Sequence, residues 1–93
     1  MTIGLLSVEL FLPLSVSLKD KRMVLRRIKD RLRAANVACA EVAYQELWQR
    51  AALAVVTVAS DRVVAEKTLA ASLQEIERLE PGAVTASQIE YLH

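Results

Sequence analysis

Residues 2–35 read TIGLLSVELFLPLSVSLKDKRMVLRRIKDRLRAA, and the apolar spacing in them changes from two residues to helical on either side of Pro13. Thr2 to Leu12 is rich in strand-forming residues. Alternation puts Leu6, Val8, Leu10 and Leu12 on one face and Ile3, Leu5, Ser7, Glu9 and Phe11 on the other. Both faces are largely apolar, so the strand is expected to be central. Ser17-Leu18-Lys19-Asp20 then reads as a helix start. Ser17 can accept from the free amides, and Asp20 falls in the first turn, where the helix dipole favours a carboxylate. The spacing predicts a helix from about Leu18 to Ala35, with Leu18, Val24, Leu25, Ile28, Leu32 and Ala35 in one apolar arc. Asn36 is expected to stop it in the left-handed conformation.

The rest of the chain repeats this plan. Val37 to Ala43 reads as a short strand, Tyr44 to Gln49 as a connection, and Arg50 to Ser60 as a strand centred on Val55, Val56, Thr57 and Val58. Ser60-Asp61 opens a second helix whose expected apolar stripe is Ala65, Leu69, Leu73, Ile76 and Leu79. Pro81-Gly82 ends it, and Val84 to Leu92 is the last strand. The order is β-α-β-β-α-β. Two right-handed crossovers turn that order into an α+β, ferredoxin-like sandwich, a four-stranded antiparallel sheet with both helices on one face. Residues 1–93 are expected to form one domain.

Composition narrows the chemistry. Hydrophobic residues make up 54% of the chain and charged residues 25%, which is the balance of a globular domain. Gly4 and Gly82 are the only glycines, too few for a glycine-rich phosphate loop. The single cysteine, Cys39, excludes an internal disulfide and reads as a small buried hydrophobe in mid-strand. The single histidine, His93, is the last residue, so no zinc ligand set and no cofactor is expected. The N-terminal residues lack the pattern of a signal peptide, and no apolar run approaches the roughly 20 residues needed to span a bilayer. A cytoplasmic protein without membrane contact is the expectation.

The charge is unevenly placed. Lys19, Lys21, Arg22, Arg26, Arg27, Lys29, Arg31 and Arg33 are 8 of the 12 basic residues. With Asp20 and Asp30 that stretch carries +6, and the remainder of the chain carries −5. Lys19, Arg22, Arg26, Lys29 and Arg33 fall within roughly 80° of the helical wheel, a ridge about 18 Å or more long. Such a ridge can track the phosphates of a nucleic acid, or it can be a solvated face balanced by acidic residues of the second helix. Lys21 differs, because it falls inside the apolar arc and needs a partner. Glu41 of the second strand is the candidate for a structural ion pair. The strand from Arg50 to Ser60 has no aromatic residue, which argues against base stacking of the RNA-recognition-motif kind. Trp48 either folds back onto the sheet or anchors a partner. With helices on one side only, the other sheet face, carrying either Ile3, Leu5 and Phe11 or the Leu6 to Leu12 set, exposes apolar residues. Leu5, Phe11 and Trp48 are therefore candidate protein-interface residues, for a second copy or another protein.

Ser17-Leu18-Lys19-Asp20-Lys21-Arg22, Val37-Ala38-Cys39-Ala40-Glu41-Val42, Leu47-Trp48-Gln49-Arg50-Ala51-Ala52-Leu53 and Ser60-Asp61, in this order and spacing, resemble the YlxP-like family of small bacterial proteins. The resemblance covers nearly the whole chain. It implies the ferredoxin-like fold, a bacterial cytoplasmic location and an uncharacterised function. It also implies a link to RNA or the ribosome, since genes of the family lie beside those for translation initiation factor two and ribosome-binding factor A. It supplies no catalytic residues. Two expectations from different classes follow. One is a non-enzymatic accessory factor that contacts RNA or the ribosome through the basic first helix. The other is a homo-oligomeric interaction module that uses the open sheet face. An enzyme of acylphosphatase type is disfavoured, because Pro13 to Ser17 contains no glycine and Asn36 lies at a helix end. A ligand sensor of the ACT type lacks the same glycine.

Overall fold

A computed structural model describes residues 1–92. The elements follow in the order β1 (Thr2–Phe11), α1 (Leu18–Leu32), β2 (Ala38–Ala43), β3 (Arg50–Ala59), α2 (Arg62–Leu79) and β4 (Val84–Leu92). The sheet order is β2-β3-β1-β4, and each neighbouring pair is antiparallel. This is the ferredoxin-like arrangement. β1 is central, pairing from Thr2↔Ala59 to Phe11↔Arg50 with β3 and from Ile3↔Leu92 to Leu10↔Val84 with β4. Each outer strand carries one register break. In β2 it falls between Glu41 and Ala43, and in β4 it falls opposite Glu9 and Leu10.

Side-chain alternation decides which face meets the helices. Leu6, Val8, Leu10 and Leu12 join Ala51, Leu53 and Val55 in the core, while Ile3, Leu5 and Glu9 are half-buried and Ser7 and Phe11 exposed on the far face. The two helices bury matching rhythms, Lys21, Leu25, Ile28 and Leu32 in α1 and Ala65, Leu69, Ser72 and Ile76 in α2. Each rhythm contains one polar member. Ser72 satisfies itself by donating to the Thr68 carbonyl at 2.9 Å, and the expected stripe residues Leu73 and Leu79 pack half-buried at its flanks. Gly4 has a close-approach role, since a Cβ there would lie 2.8 Å from Leu69 Cδ1. Its hydrogen lets α2 settle onto β1.

The helix starts follow the sequence signals. Ser17 Oγ accepts from the Asp20 amide, and Asp61 Oδ1 accepts from the Val64 amide. The end of α1 differs from expectation. The helix stops at Leu32, and Arg33 N donates to Asp30 O and Ala35 N to Leu32 O in a tightened last turn. Asn36 is not left-handed. Its Nδ2 donates to the Val58 carbonyl, and its own carbonyl accepts from Thr57 Oγ1 at 2.6 Å, so it ties the connection to β3. The non-glycine residue with positive φ is Tyr44, at 62°. Gly82, at φ 77°, carries the chain from α2 into β4.

Candidate nucleic-acid interface

The cations of α1 divide into three sets according to the direction they leave the helix. The first points at α2. Arg27 Nη2 lies 2.6 Å from Glu80 Oε2, and Arg31 Nε lies 3.3 Å from Glu75 Oε1. Glu75 is also held by Arg78, one turn along. Hydrogen bonds from Arg78, aided by its charge and that of Arg31, hold the Glu75 carboxyl below the usual carboxylate range.

The second set is Lys21 alone, 1% exposed. Its ammonium donates to the carbonyls of Tyr44 (2.8 Å), Gln45 (3.2 Å) and Arg50 (3.3 Å). It also lies 2.9 Å from Glu41 Oε2, an approach too oblique to count as a hydrogen bond at that oxygen. An ammonium has three protons, and here three carbonyls take them while the carboxylate supplies the counter-charge. The result is an anchor from α1 to the β2–β3 connection. Tyr44 sits at the centre of that connection. Its left-handed backbone costs about 1–2 kcal/mol for a residue with a Cβ. Three contacts offset the cost: the carbonyl bond from Lys21, a hydroxyl bond to Glu9 Oε1 at 2.9 Å, and the Arg50 guanidinium 4.2 Å from the ring centroid. No sequence signal marks Tyr44, because a positive φ is ordinarily read from glycine or asparagine.

The third set is the ridge. Lys19, Arg22, Arg26 and Arg33 are exposed and Lys29 is half-buried. Among the described residues Lys19, Arg22, Arg26 and Lys29 form no ion pair within 4.0 Å, and Arg33 pairs only with its helix neighbour Asp30, at 3.1 Å. The ridge borders a groove between α1 and the edge strand β2. One hollow of about 250 Å³ there is lined by Arg22, Leu25, Arg26, Lys29, Asp30, Arg33 and Glu41. The next, about 200 Å³, is lined by Lys29, Leu32, Arg33, Val37 and Cys39. Four cations, Arg22, Arg26, Lys29 and Arg33, thus line a trough with two carboxylates, Asp30, paired with Arg33, and Glu41, matched by Lys21. Burial pushes the Cys39 thiol above its ordinary range, with nearby Lys29 pulling the other way.

The aromatic candidates lie elsewhere. Phe11 and Trp48 line one hollow of about 410 Å³ with Glu46, Leu47, Gln49 and Arg50, at the end of the open sheet face. Trp48 is 54% exposed and Phe11 45%. Leu5 is on the same open face three rows away, half-buried between Val56 and Glu90. None of the three reaches the groove of the ridge. His93 lies outside the described residues. Among the described residues no group of three or more His, Cys, Asp or Glu side chains converges on a metal-sized site, and no helix is long and apolar enough to cross a membrane.

Residues 3–89 match the family DUF503, a family of proteins of unknown function. The chain belongs to the DUF503 family. A relative is the uncharacterized protein YlxP of Bacillus subtilis (strain 168), 44% identical over an alignment of 69 residues, with 67% of this chain and 75% of the relative covered. Among solved structures, the de novo designed protein Foldit4 superposes with a TM-score of 0.57 at 10% identity, over 99% of this chain and 96% of the design. A putative antibiotic biosynthesis monooxygenase from Bordetella bronchiseptica superposes with a TM-score of 0.54 at 15% identity, over 100% of this chain and 97% of that one. At such identities the two structures speak to the fold alone. They agree with the ferredoxin-like fold of this chain and establish no enzymatic role.

Proposed function

We propose that this DUF503 protein is a non-enzymatic cytoplasmic accessory factor that binds RNA, in the ribosome or in a ribonucleoprotein, through the ridge Lys19, Arg22, Arg26, Lys29 and Arg33. The observation that carries the reading is the division of labour along α1. Glu75 of α2 and Glu80 at its C-cap engage Arg31 and Arg27, while the four leading cations of the ridge have no carboxylate within 4.0 Å among the described residues. A fold that used all its basic residues for internal balance would not leave Lys19, Arg22, Arg26 and Lys29 without an ion pair along one flank of a helix. Phosphates of a nucleic acid strand supply the missing counter-charge and release their condensed cations on binding.

The test is co-sedimentation of the full chain with ribosomal subunits, and binding to a structured RNA, at low and high salt. Retention at low salt that is lost at high salt, and lost on charge reversal in the double variant Arg22→Glu, Arg26→Glu, is the expected result. Binding that ignores both salt and this variant would exclude the electrostatic mechanism, and no binding at low salt would exclude the function.

A further inference from the structure

We infer that the open sheet face is the contact surface for a second copy of this chain, in a two-fold dimer that sets sheet against sheet. The surface is of the right size. Strands of 10, 6, 10 and 9 residues, at about 3.3 Å per residue and about 4.8 Å apart, span roughly 550 Å² in flat projection. Side-chain relief, with Phe11 and Trp48 at one end, brings this near the roughly 800 Å² per partner of a stable interface.

The relief of the face selects a second copy over an unrelated partner. Register fixes the rows. Val58, Ile3 and Leu92 form one row, Val56, Leu5 and Glu90 the next, then Ala54, Ser7 and Gln88, then Ala52, Glu9 and Ala86. Large side chains fill the first two of these rows and small ones the next two, with Phe11 beyond them at the far end. A two-fold axis lying in the interface, across the strands and between the Leu5 and Ser7 rows, reverses the strand direction of one copy. It lays each strand over its own mate. Val56 then meets the other copy's Ala54, Val58 its Ala52, Leu92 its Ala86 and Leu5 its Ser7. One symmetry operation pairs these four large residues with small ones and sets Ile3 over the other copy's Glu9, the self-complementarity that an isologous interface demands. The charges also comply. Glu90 meets Gln88, and Glu9 is already bonded by the Tyr44 hydroxyl and lies 3.7 Å from Arg50 Nη2. Twisted sheets stacked this way cross at about 30°, so the pairs are nearest neighbours and not an exact overlay.

Sedimentation equilibrium of the full chain at micromolar concentrations tests this. Wild type at twice the chain mass, unchanged in high salt, is expected. Ala54→Glu and Ser7→Arg are both expected to sediment as monomers with native circular dichroism, and Arg26→Glu to stay dimeric. Ser7 is exposed already, so Ser7→Arg decides the matter if Ala54→Glu does not fold. A monomeric wild type, a dimer that dissolves in salt, or a dimer indifferent to Ser7→Arg would overturn the inference. Each of those outcomes leaves the RNA reading standing, since the ridge is on the opposite side of the sheet.

Discussion

At Lys21 one side chain joins three stretches of chain. A lysine buried in the middle of an apolar arc is costly unless every proton finds a partner and the charge is opposed. Here three carbonyls and Glu41 do so. Lys21→Ala would leave the half-buried Glu41 without its cation and three carbonyls without a donor. It is expected to lose about 3–5 kcal/mol in urea unfolding. The double change Lys21→Met, Glu41→Leu removes both charges at similar volume and is expected to recover much of that loss. A double variant no more stable than Lys21→Ala would mean that the carbonyl bonds, and not the charge pair, hold the loop. Cys39 gives a second residue-level prediction. With its thiol raised by burial, native protein is expected to react with iodoacetamide more slowly than unfolded protein near pH 8. Lys29→Gln removes the opposing cation and is expected to slow it further. The need for a partner at Lys21 was readable from periodicity alone. The left-handed turn at Tyr44 was not, because three long-range contacts impose it on a residue with no local preference for it.

Between elements, the α1–α2 contact is closed by Glu75 and Glu80 facing Arg31 and Arg27. These pairs are exposed and contribute little at neutral pH. They do leave a mark in acid. The Glu75 carboxyl is lowered in the folded state, so its contribution is present above the usual carboxylate range and lost as pH falls through the lowered value. Thermal melts from neutral to strongly acidic pH are expected to show a shallower acid limb in Glu75→Gln than in wild type. An unchanged limb would mean that Arg78 and Arg31 are indifferent to the carboxylate. Most elements could be read from the sequence because caps and spacing agreed, as at Ser17 and Asp61. Ser72 was passed over because pattern reading counts apolar residues, and a serine that bonds back to its own helix fits a core position just as well. Asn36 departs from the expected left-handed stop because its tie to β3 is non-local and overrides its left-handed tendency.

The whole molecule separates its two unbalanced surfaces, a cationic flank on the helical layer and an apolar sheet on the other. Four unpaired cations meeting single-stranded phosphates imply that log K falls with log salt with a slope of about −3. A duplex implies about −4, and Arg26→Glu should reduce the slope by about one unit or more. Filter binding over a salt series measures this. A slope near zero would place the contact elsewhere. The excess charge of the first helix was visible in the sequence, but the share that stayed free was not. That share depends on which way α1 is rotated against α2, and only packing sets it.

Both register breaks fall in β2 and β4, the only strands with an open side. Each leaves one residue, Val42 or Thr85, without a counterpart on the strand within. A bulged edge is a poor template for another strand. Lateral growth of the sheet into ribbons or fibrils is thereby penalised at both ends, and association is steered toward assemblies of finite size.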